Sequence, residues 1–384
     1  MRMPQTLPTA APAASPIGFT LEATAPSGAR AGLMQTRRGL VQTPAFMAVG
    51  THAHVRNLSI EDVLASGAPI MLGNTYHLML RPGVEVFRRF GGIHRFNNWD
   101  RPVLTDSGGF QIFSLPSERE ITEKGAHFRS YWDNSRQLLS PERSVEVQQA
   151  IGSDIMMVLD VCIDSTTDEK GTRDAMERTH RWALRSLAQR SLGDTTQAIF
   201  AIVQGGVHEP LRRESAAFLT SHPFDGFAIG GLAVGETRAE REGMTELCTG
   251  LLPQDRPRYL MGVGTPIDLV QAVRRGVDMF DCIIPTKMAQ QGYAYTFAGQ
   301  LRITRQEYRL DDGPICTECD CDVCRRYSRG YVHHLMKGKH MLGSRMLGLH
   351  NLRHYQLLMR RMREAIVEGR FESLYRELEE RLDG

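Results

Sequence analysis

Cys319-Asp-Cys321-Asp-Val-Cys324 places three thiols within six residues, and histidines follow at His333, His334, His340, His350 and His354. Thiolates at that spacing with one imidazole form the ligand set of a closed tetrahedral zinc site, one structural Zn2+ per chain. Cys316 is the alternative fourth ligand and would make a four-cysteine site. His350 is favoured among the histidines because Leu349-His350-Asn351 reads as a helix start, which can hold a side chain against a preformed thiolate cluster. A disulfide-rich loop is the competing explanation, weakened by the scatter of the other cysteines.

The chain has 384 residues, 41% of them hydrophobic, enough for a barrel of about 250 residues with appendages. No apolar run approaches the roughly 18 residues of a membrane span, so no membrane partner is expected. Met1 to Pro16 is rich in Ala, Pro and Thr without a continuous apolar stretch, and residues 1–17 are expected to be a disordered leader. Seven cysteines, four of them clustered, point to a reducing cytoplasm. The net charge of +2 hides an asymmetry: Arg325 to Arg363 carries ten Lys/Arg and no acid. Such a one-signed run suits a polyanion, or simply a solvated basic helix.

The elements that must position any chemistry repeat one unit. After a hairpin-like region around Phe19–Gln42, apolar runs alternate with helical patterns: Ala45–Val49, Pro69–Leu72, Pro102–Leu104, Ile155–Leu159, Ala198–Val203, Gly226–Ile229, Tyr259–Met261 and Val277–Phe280. Ser59-Ile-Glu-Asp62 reads as a capping box, and Ser140-Pro141 as a helix start with proline in the first turn. Eight strand–helix alternations predict an α/β fold, a (β/α)8 TIM barrel. The barrel with its N-terminal hairpin is expected over 18–310, with Gly108–Asn134 as an inserted excursion. A zinc-binding subdomain with C-terminal helices, Asn351–Ile366 and Phe371–Leu382, is expected over 311–384.

Residues ending barrel strands share one mouth, and here they are Asn74, Asp106, Asp160, Gln204, Gly230-Gly231 and Asp281. A single Asp there could merely cap a helix. Three Asp and a Gln at the same point of the repeat suggest a site. Paired carboxylates suit displacement at a sugar carbon, one attacking and the other moving protons. A further Asp, a Gln and glycine amides can read a heterocycle edge. Spacing alone does not say which Asp does what.

Gly73-Asn-Thr-Tyr-His-Leu78, Thr105-Asp-Ser-Gly-Gly-Phe-Gln111, Gly230-Gly-Leu-Ala-Val-Gly-Glu236, Tyr259-Leu-Met-Gly-Val-Gly264, Asp278-Met-Phe-Asp-Cys282 and the cysteine cluster closely resemble the bacterial tRNA-guanine transglycosylases from about Gly18 onward. The resemblance implies exchange of guanine at the tRNA wobble position for a 7-deazaguanine base, preQ1 ahead of queuine, in queuosine biosynthesis. It implies Asp281 as the nucleophile on the ribose C1′ and Asp106 as general acid/base. Asp160, Gln204, Gly231 and Leu232 would read the base, and Phe110 and Met261 would sandwich it. Cys162 would line the pocket, while Ser107 and Asn74 would position Asp106 and the ribose. The metal ligands would be Cys319, Cys321, Cys324 and His350, with Cys316 spare. The base must be flipped from an anticodon loop, where it is already unpaired. A homodimer is implied, with Tyr327, Tyr331 and His334 in a plausible contact region.

Two departures stand out. Where the family reads Pro-Thr-Arg-x-x-Arg-Asn-Gly, this chain has Pro285-Thr-Lys287-Met-Ala-Gln290-Gln291-Gly292, replacing forked guanidiniums with a point charge and a neutral amide at the RNA-binding positions Lys287 and Gln290. Val161 follows Asp160 where the family carries an acid. Competing functions are a catalytically silent RNA-binding subunit, a metal-dependent hydrolase, and a paralogue acting on another nucleic acid. Asp106 and Asp281 speak against the first; the second needs His-x-His or carboxylate ligands at strand ends, which the run Ala45–Val49 and the other endings are not expected to supply.

Overall fold

The computed structural model describes residues 15–114, 119–193 and 196–382, so most of the expected leader lies outside the described residues. Ala45–Gly50, Met71–Gly73, Val103–Thr105, Ile155–Met157, Ala198–Val203, Gly226–Ile229, Arg258–Leu260 and Met279–Asp281 form a closed eight-stranded barrel. Each strand pairs in parallel with the next, and Met279–Asp281 returns onto Ala45–Gly50 with Asp281 opposite Met47. All six residues of Ala198–Val203 are buried, as expected of a parallel strand covered on both faces, which therefore reads as a continuous apolar run.

The intervening helices start where capping chemistry allows. Ser59 and Asp62 make the predicted capping box, Ser140 caps the helix Pro141–Ile151, and Thr237 and Glu240 make a second box. These side chains satisfy the amides that a helix N-terminus leaves without partners.

At the N-terminal end of the barrel three aspartates lace neighbouring strands together. Asp154, Asp225 and Asp278 each immediately precede a strand. Their carboxylates accept from the amides of Val103, Ile199 and Arg258 on the adjacent strands at 2.8, 2.9 and 2.8 Å. Arginines neutralise them: Arg37 on Asp154, Arg190 on Asp225 and Arg30 on Asp278. Buried charge is tolerable there because each carboxylate is both paired and hydrogen-bonded.

Outside the barrel the hairpin-like N-terminal region is a three-stranded antiparallel sheet of two successive hairpins, Gly18–Thr24, Arg30–Thr36 and Gly39–Thr43. The excursion after Gly108 forms a short helix, Gly109–Ser114, and a second antiparallel sheet, Arg119–Ile121, Ala126–Arg129 and Arg136–Leu139.

The last two helices are Met341–Val367 and Phe371–Leu382. The first is longer than expected, so His350 sits in its interior and not at its start. That helix docks on the barrel through Asn351, which bonds the Tyr295 amide and the carbonyls of Pro285 and Tyr293. Tyr355 and Gln356 reach the carbonyls of Gly264 and Phe46. No helix among the described residues is long and apolar enough to cross a membrane.

Candidate active site and metal cluster

Asn74, Asp106, Gln204, Gly230 and Met261 directly follow strands, Asp281 ends one, and Asp160 stands three residues past another, so all lie at the C-terminal mouth of the barrel. Asp106 and Asp281 are half-buried, and Asn74, Asp160, Gln204 and Leu232 are buried.

Asp106 is held on both oxygens. The Thr75 amide donates to Oδ1 at 2.8 Å and Asn74 Nδ2 donates to Oδ2 at 2.5 Å. The Thr75 hydroxyl donates to the Asp106 carbonyl. Burial pushes this carboxyl up to about 7, the charges of Asp281 and Asp160 push the same way, and the amides of Thr75 and Gly108 oppose them. Such a group exchanges protons readily at neutral pH.

Asp281 is held on one oxygen only. The Tyr259 hydroxyl and the Gly262 amide both donate to Oδ1, at 2.5 and 2.9 Å, leaving Oδ2 clear of these bonds. Burial raises its pKa, against the pull of those two donors toward the charged form. The arrangement suits an ionised carboxylate whose second oxygen can attack.

Asp160 accepts from Ser107 at 2.9 Å and from Gln204 Nε2 at 2.8 Å, with the Cys162 thiol 3.5 Å away. Ser107 therefore steadies Asp160 and not Asp106, contrary to expectation: its hydroxyl points across to the next strand end. Two glycines make room. A Cβ at Gly109 would stand 2.7 Å from the Asp160 carbonyl, and one at Gly231, whose φ is +63°, would stand 2.4 Å from Gln204 Oε1. Phe110 is 47% exposed at the start of the helix Gly109–Ser114, and Met261 is half-buried beyond Leu260.

Lys287 and Gln290 lie on the helix Ile284–Gln290, which begins just beyond Asp281. Lys287 is exposed, and Gln290 Oε1 accepts from Arg56 at 3.3 Å. A cavity of about 430 Å³ lined by Arg30, Arg258, Arg274 and Arg275 lies away from all of these mouth residues.

Cys319, Cys321, Cys324 and His350 form a cluster able to hold a metal ion, their ligand atoms all within 4.8 Å of one another. Cys321 and Cys324 Sγ lie 3.7 and 3.2 Å from His350 Nδ1. His350 Nε2 meets the Tyr295 carbonyl at 2.8 Å, which fixes the proton there and leaves Nδ1 as ligand. Hydrogen bonds from the Cys319 and Cys324 thiols push the Cys321 thiol well below its usual range. A thiolate-rich set with one oriented imidazole suits a metal ion. Cys316 is buried outside the cluster, as is His354, whose pKa burial lowers to about 3.

The basic run is one-signed in sequence but not in space. Arg326, Arg329, Arg345, Arg353, Arg360, Arg361 and Arg363 pair with Asp322, Asp311, Asp62, Asp320, Glu364, Glu318 and Glu22. Most of its charge is thus spent inside the molecule. Tyr327, Tyr331 and His334 are exposed, and the two tyrosine rings stack 5.4 Å apart. Tyr259 and Thr75, which hold the two carboxylates, lie in sequence motifs other than those of the residues they hold, and spacing alone does not mark them. A tyrosine within the short barrel strand Arg258–Leu260 was the available signal, since a buried hydroxyl needs a partner.

A family model described as "Queuine tRNA-ribosyltransferase" matches residues 25–383. A queuine tRNA-ribosyltransferase of Thioalkalivibrio sulfidiphilus is 52% identical over 90% of this chain and 92% of its own length. That of Sphingopyxis alaskensis is 49% identical over 92% of this chain and 95% of its own. That of Novosphingobium aromaticivorans is 52% identical over 89% and 92%. With every strand of the barrel and the whole Cys3His cluster inside the residues the family model matches, the chain belongs to the queuine tRNA-ribosyltransferase family.

Proposed function

We propose that this enzyme is a tRNA-guanine transglycosylase that exchanges guanine at the anticodon wobble position for a 7-deazaguanine base through a covalent ribosyl-aspartate. Asp281 Oδ2 attacks C1′ of the flipped nucleotide and the bond to guanine breaks as the protonated Asp106 carboxyl gives its proton to the departing base. Asp106 then removes a proton from the incoming base, whose ring nitrogen attacks C1′ and releases Asp281. No redox step or nucleotide cofactor is needed, because one glycosidic bond replaces another.

The observation that carries this proposal is the contrast in how the two carboxylates are held: Asp106 has both oxygens bonded, by Thr75 and Asn74, and burial pushes it up to about 7, while Asp281 has one oxygen tied by Tyr259 and Gly262 and the other clear of those bonds. A carboxylate held on one oxygen with the other clear suits attack, and one held on both with a raised pKa suits proton transfer. Asp160, Gln204, Gly231 and Leu232 read the base between Phe110 and Met261, with Cys162 beside Asp160.

PreQ1 is the favoured incoming base, and queuine is the alternative. Val161 stands where an acid is expected, but its side chain packs in an apolar cluster with Tyr76, Phe128 and Trp182, so its neutrality says little about the incoming base. The metal is Zn2+: ligand atoms of a tetrahedral zinc site stand about 3.6 Å apart, close to the 3.7 and 3.2 Å found here. Zinc supplies a structural clamp on the helix that bonds Pro285 and Tyr293, and takes no part in the exchange. Free cysteines throughout the described residues support a cytoplasmic setting, and the exposed tyrosine pair supports a homodimer.

Incubating tRNA carrying labelled guanine with preQ1 or queuine separately tests the function. Release of label with preQ1 is expected. Release with queuine alone would change the substrate, and release with neither would remove the activity.

A further inference from the structure

The rim of the mouth carries side chains that base exchange does not use. Beyond the strand Ala45–Gly50, His52, His54 and Arg56 are exposed. His77 lies on the one-turn helix Thr75–Leu78, whose first amide holds Asp106. The His52 and His77 rings are 4.7 Å apart, and His77 Nδ1 is 3.0 Å from the Tyr131 hydroxyl. Tyr131 stacks 5.9 Å from Tyr76, yet is 49% exposed. Beside it Trp132 is 56% exposed, with the Arg81 guanidinium 4.1 Å from its ring centre.

This arrangement is built rather than incidental. Tyr131 and Trp132 sit in the turn joining Ala126–Arg129 to Arg136–Leu139, where Ser130 Oγ accepts from the Trp132 amide and Asn134 takes a φ of 59°. Burial, with help from His52, lowers the His77 pKa to about 4, so at neutral pH it offers a flat uncharged ring. Flat rings alternating with guanidiniums are the chemistry that holds unpaired bases, each stacked base contributing through its face whatever its sequence. A protein partner on this rim would cover the mouth, whereas a nucleic-acid strand must lie across it for one nucleotide to enter.

We propose that His52, His77, Tyr131 and Trp132, with Arg81 and Arg56 among them, form a stacking platform for an unpaired base of the RNA that flanks the nucleotide drawn into the barrel. The proposal rests on the transglycosylase function above and names how the same site grips its partner. Arg56 also bonds Gln290, so the platform joins the segment in which this chain departs from its family.

The test uses the full zinc-loaded chain and a fluorescent anticodon stem-loop RNA, with binding read by anisotropy so that no turnover is needed. Trp132→Ala is expected to weaken RNA binding about tenfold, while the KM for free guanine moves less than twofold. Arg81→Gln is expected to weaken binding and flatten its salt dependence. A stem-loop made abasic at one flanking position should bind the unmodified protein about tenfold more weakly, and Trp132→Ala no more weakly than the intact RNA. Equal abasic losses in both proteins, or RNA affinities of both variants within twofold of the original, would overturn the platform. Because the abasic comparison in the unmodified protein needs no variant, a poorly folding Trp132→Ala would not rescue the idea. Absent guanine exchange with intact RNA binding would instead count against the function above.

Discussion

Tyr259 Oη and Asp281 Oδ1 are 2.5 Å apart, a hydroxyl donating to a carboxylate across neighbouring barrel strands, and the Gly262 amide joins them on the same oxygen. Both donors favour the ionised acid, opposing the burial that raises its pKa. Removing the hydroxyl therefore raises the Asp281 pKa further. Tyr259→Phe is expected to lose about ten- to a hundredfold in kcat/KM at neutral pH and to recover part of it as pH rises, because more alkali is needed to ionise the nucleophile. A pH profile with its acidic limb where the unaltered enzyme has it would separate Tyr259 from the nucleophile.

Asp106 makes a stability prediction of known sign. Its carboxyl titrates near 7 when folded against 3.8 ordinarily. Between those values the folded state keeps a proton that the unfolded state has released, so stability falls as pH rises from about 4 to 7, and the full penalty stands above 7. Asp106→Asn should thus be more stable than the original protein at pH 8, on the order of 2 kcal/mol after allowance for solvent at the mouth. The gain should vanish below about pH 4. Thermal melts at pH 4 and pH 8 check it, and a gain independent of pH would contradict the assigned burial.

Asp278 and Asp281 stand at opposite ends of the chain's last barrel strand, Met279–Asp281, one before its start and one at the mouth. Asp278 is buried, ion-paired with Arg30 at 2.9 Å and bonded to the Arg258 amide. Breaking such a pair costs about 3–5 kcal/mol. Asp278→Asn should lower the melting temperature strongly at pH 8, where the carboxyl, pushed up to about 6 by burial, is ionised. The folded fraction should keep its ability to exchange guanine. Normal stability with lost exchange would reverse the division between lacing and reacting aspartates.

That division shows what the sequence made legible. Aspartates at strand ends were separable from the rest once the apolar runs were placed, because a parallel barrel strand buried on both faces leaves an unmistakable stretch such as Ala198–Val203. The lacing aspartates Asp154, Asp225 and Asp278 were not, since a residue before a strand announces nothing about the neighbouring strand whose amide it caps. The sheet after Gly108 was hidden because its strands are three or four residues long and carry charge, as in Arg119-Glu-Ile121. The helix Met341–Val367 begins after His340, which makes no capping bond with its side chain, so no start signal preceded His350. The basic run misled because its acidic partners all lie outside it, some just past its ends, as Asp322 for Arg326 and Glu364 for Arg360, and others hundreds of residues away, as Asp62 for Arg345 and Glu22 for Arg363. Ser107 follows one barrel strand and Asp160 stands beyond the next, and the direction in which the serine hydroxyl turns between neighbouring strand ends is not readable from spacing.

The metal cluster ties its fate to the mouth, since His350 meets the Tyr295 carbonyl and Asn351 bonds Pro285 near Asp281. Cys321→Ser is expected to lose one zinc per chain, measured by elemental analysis of purified protein, and to lower both melting temperature and exchange rate. Full zinc retention would refute the ligand assignment.

The central claim is that Asp281 carries the ribose between two bases. Incubating the protein with tRNA and a slow-reacting base analogue, then denaturing and resolving protein from RNA, should give a protein–RNA adduct in the unaltered enzyme and none in Asp281→Asn, while Asp278→Asn still forms one. An adduct of undiminished yield in Asp281→Asn would contradict the account.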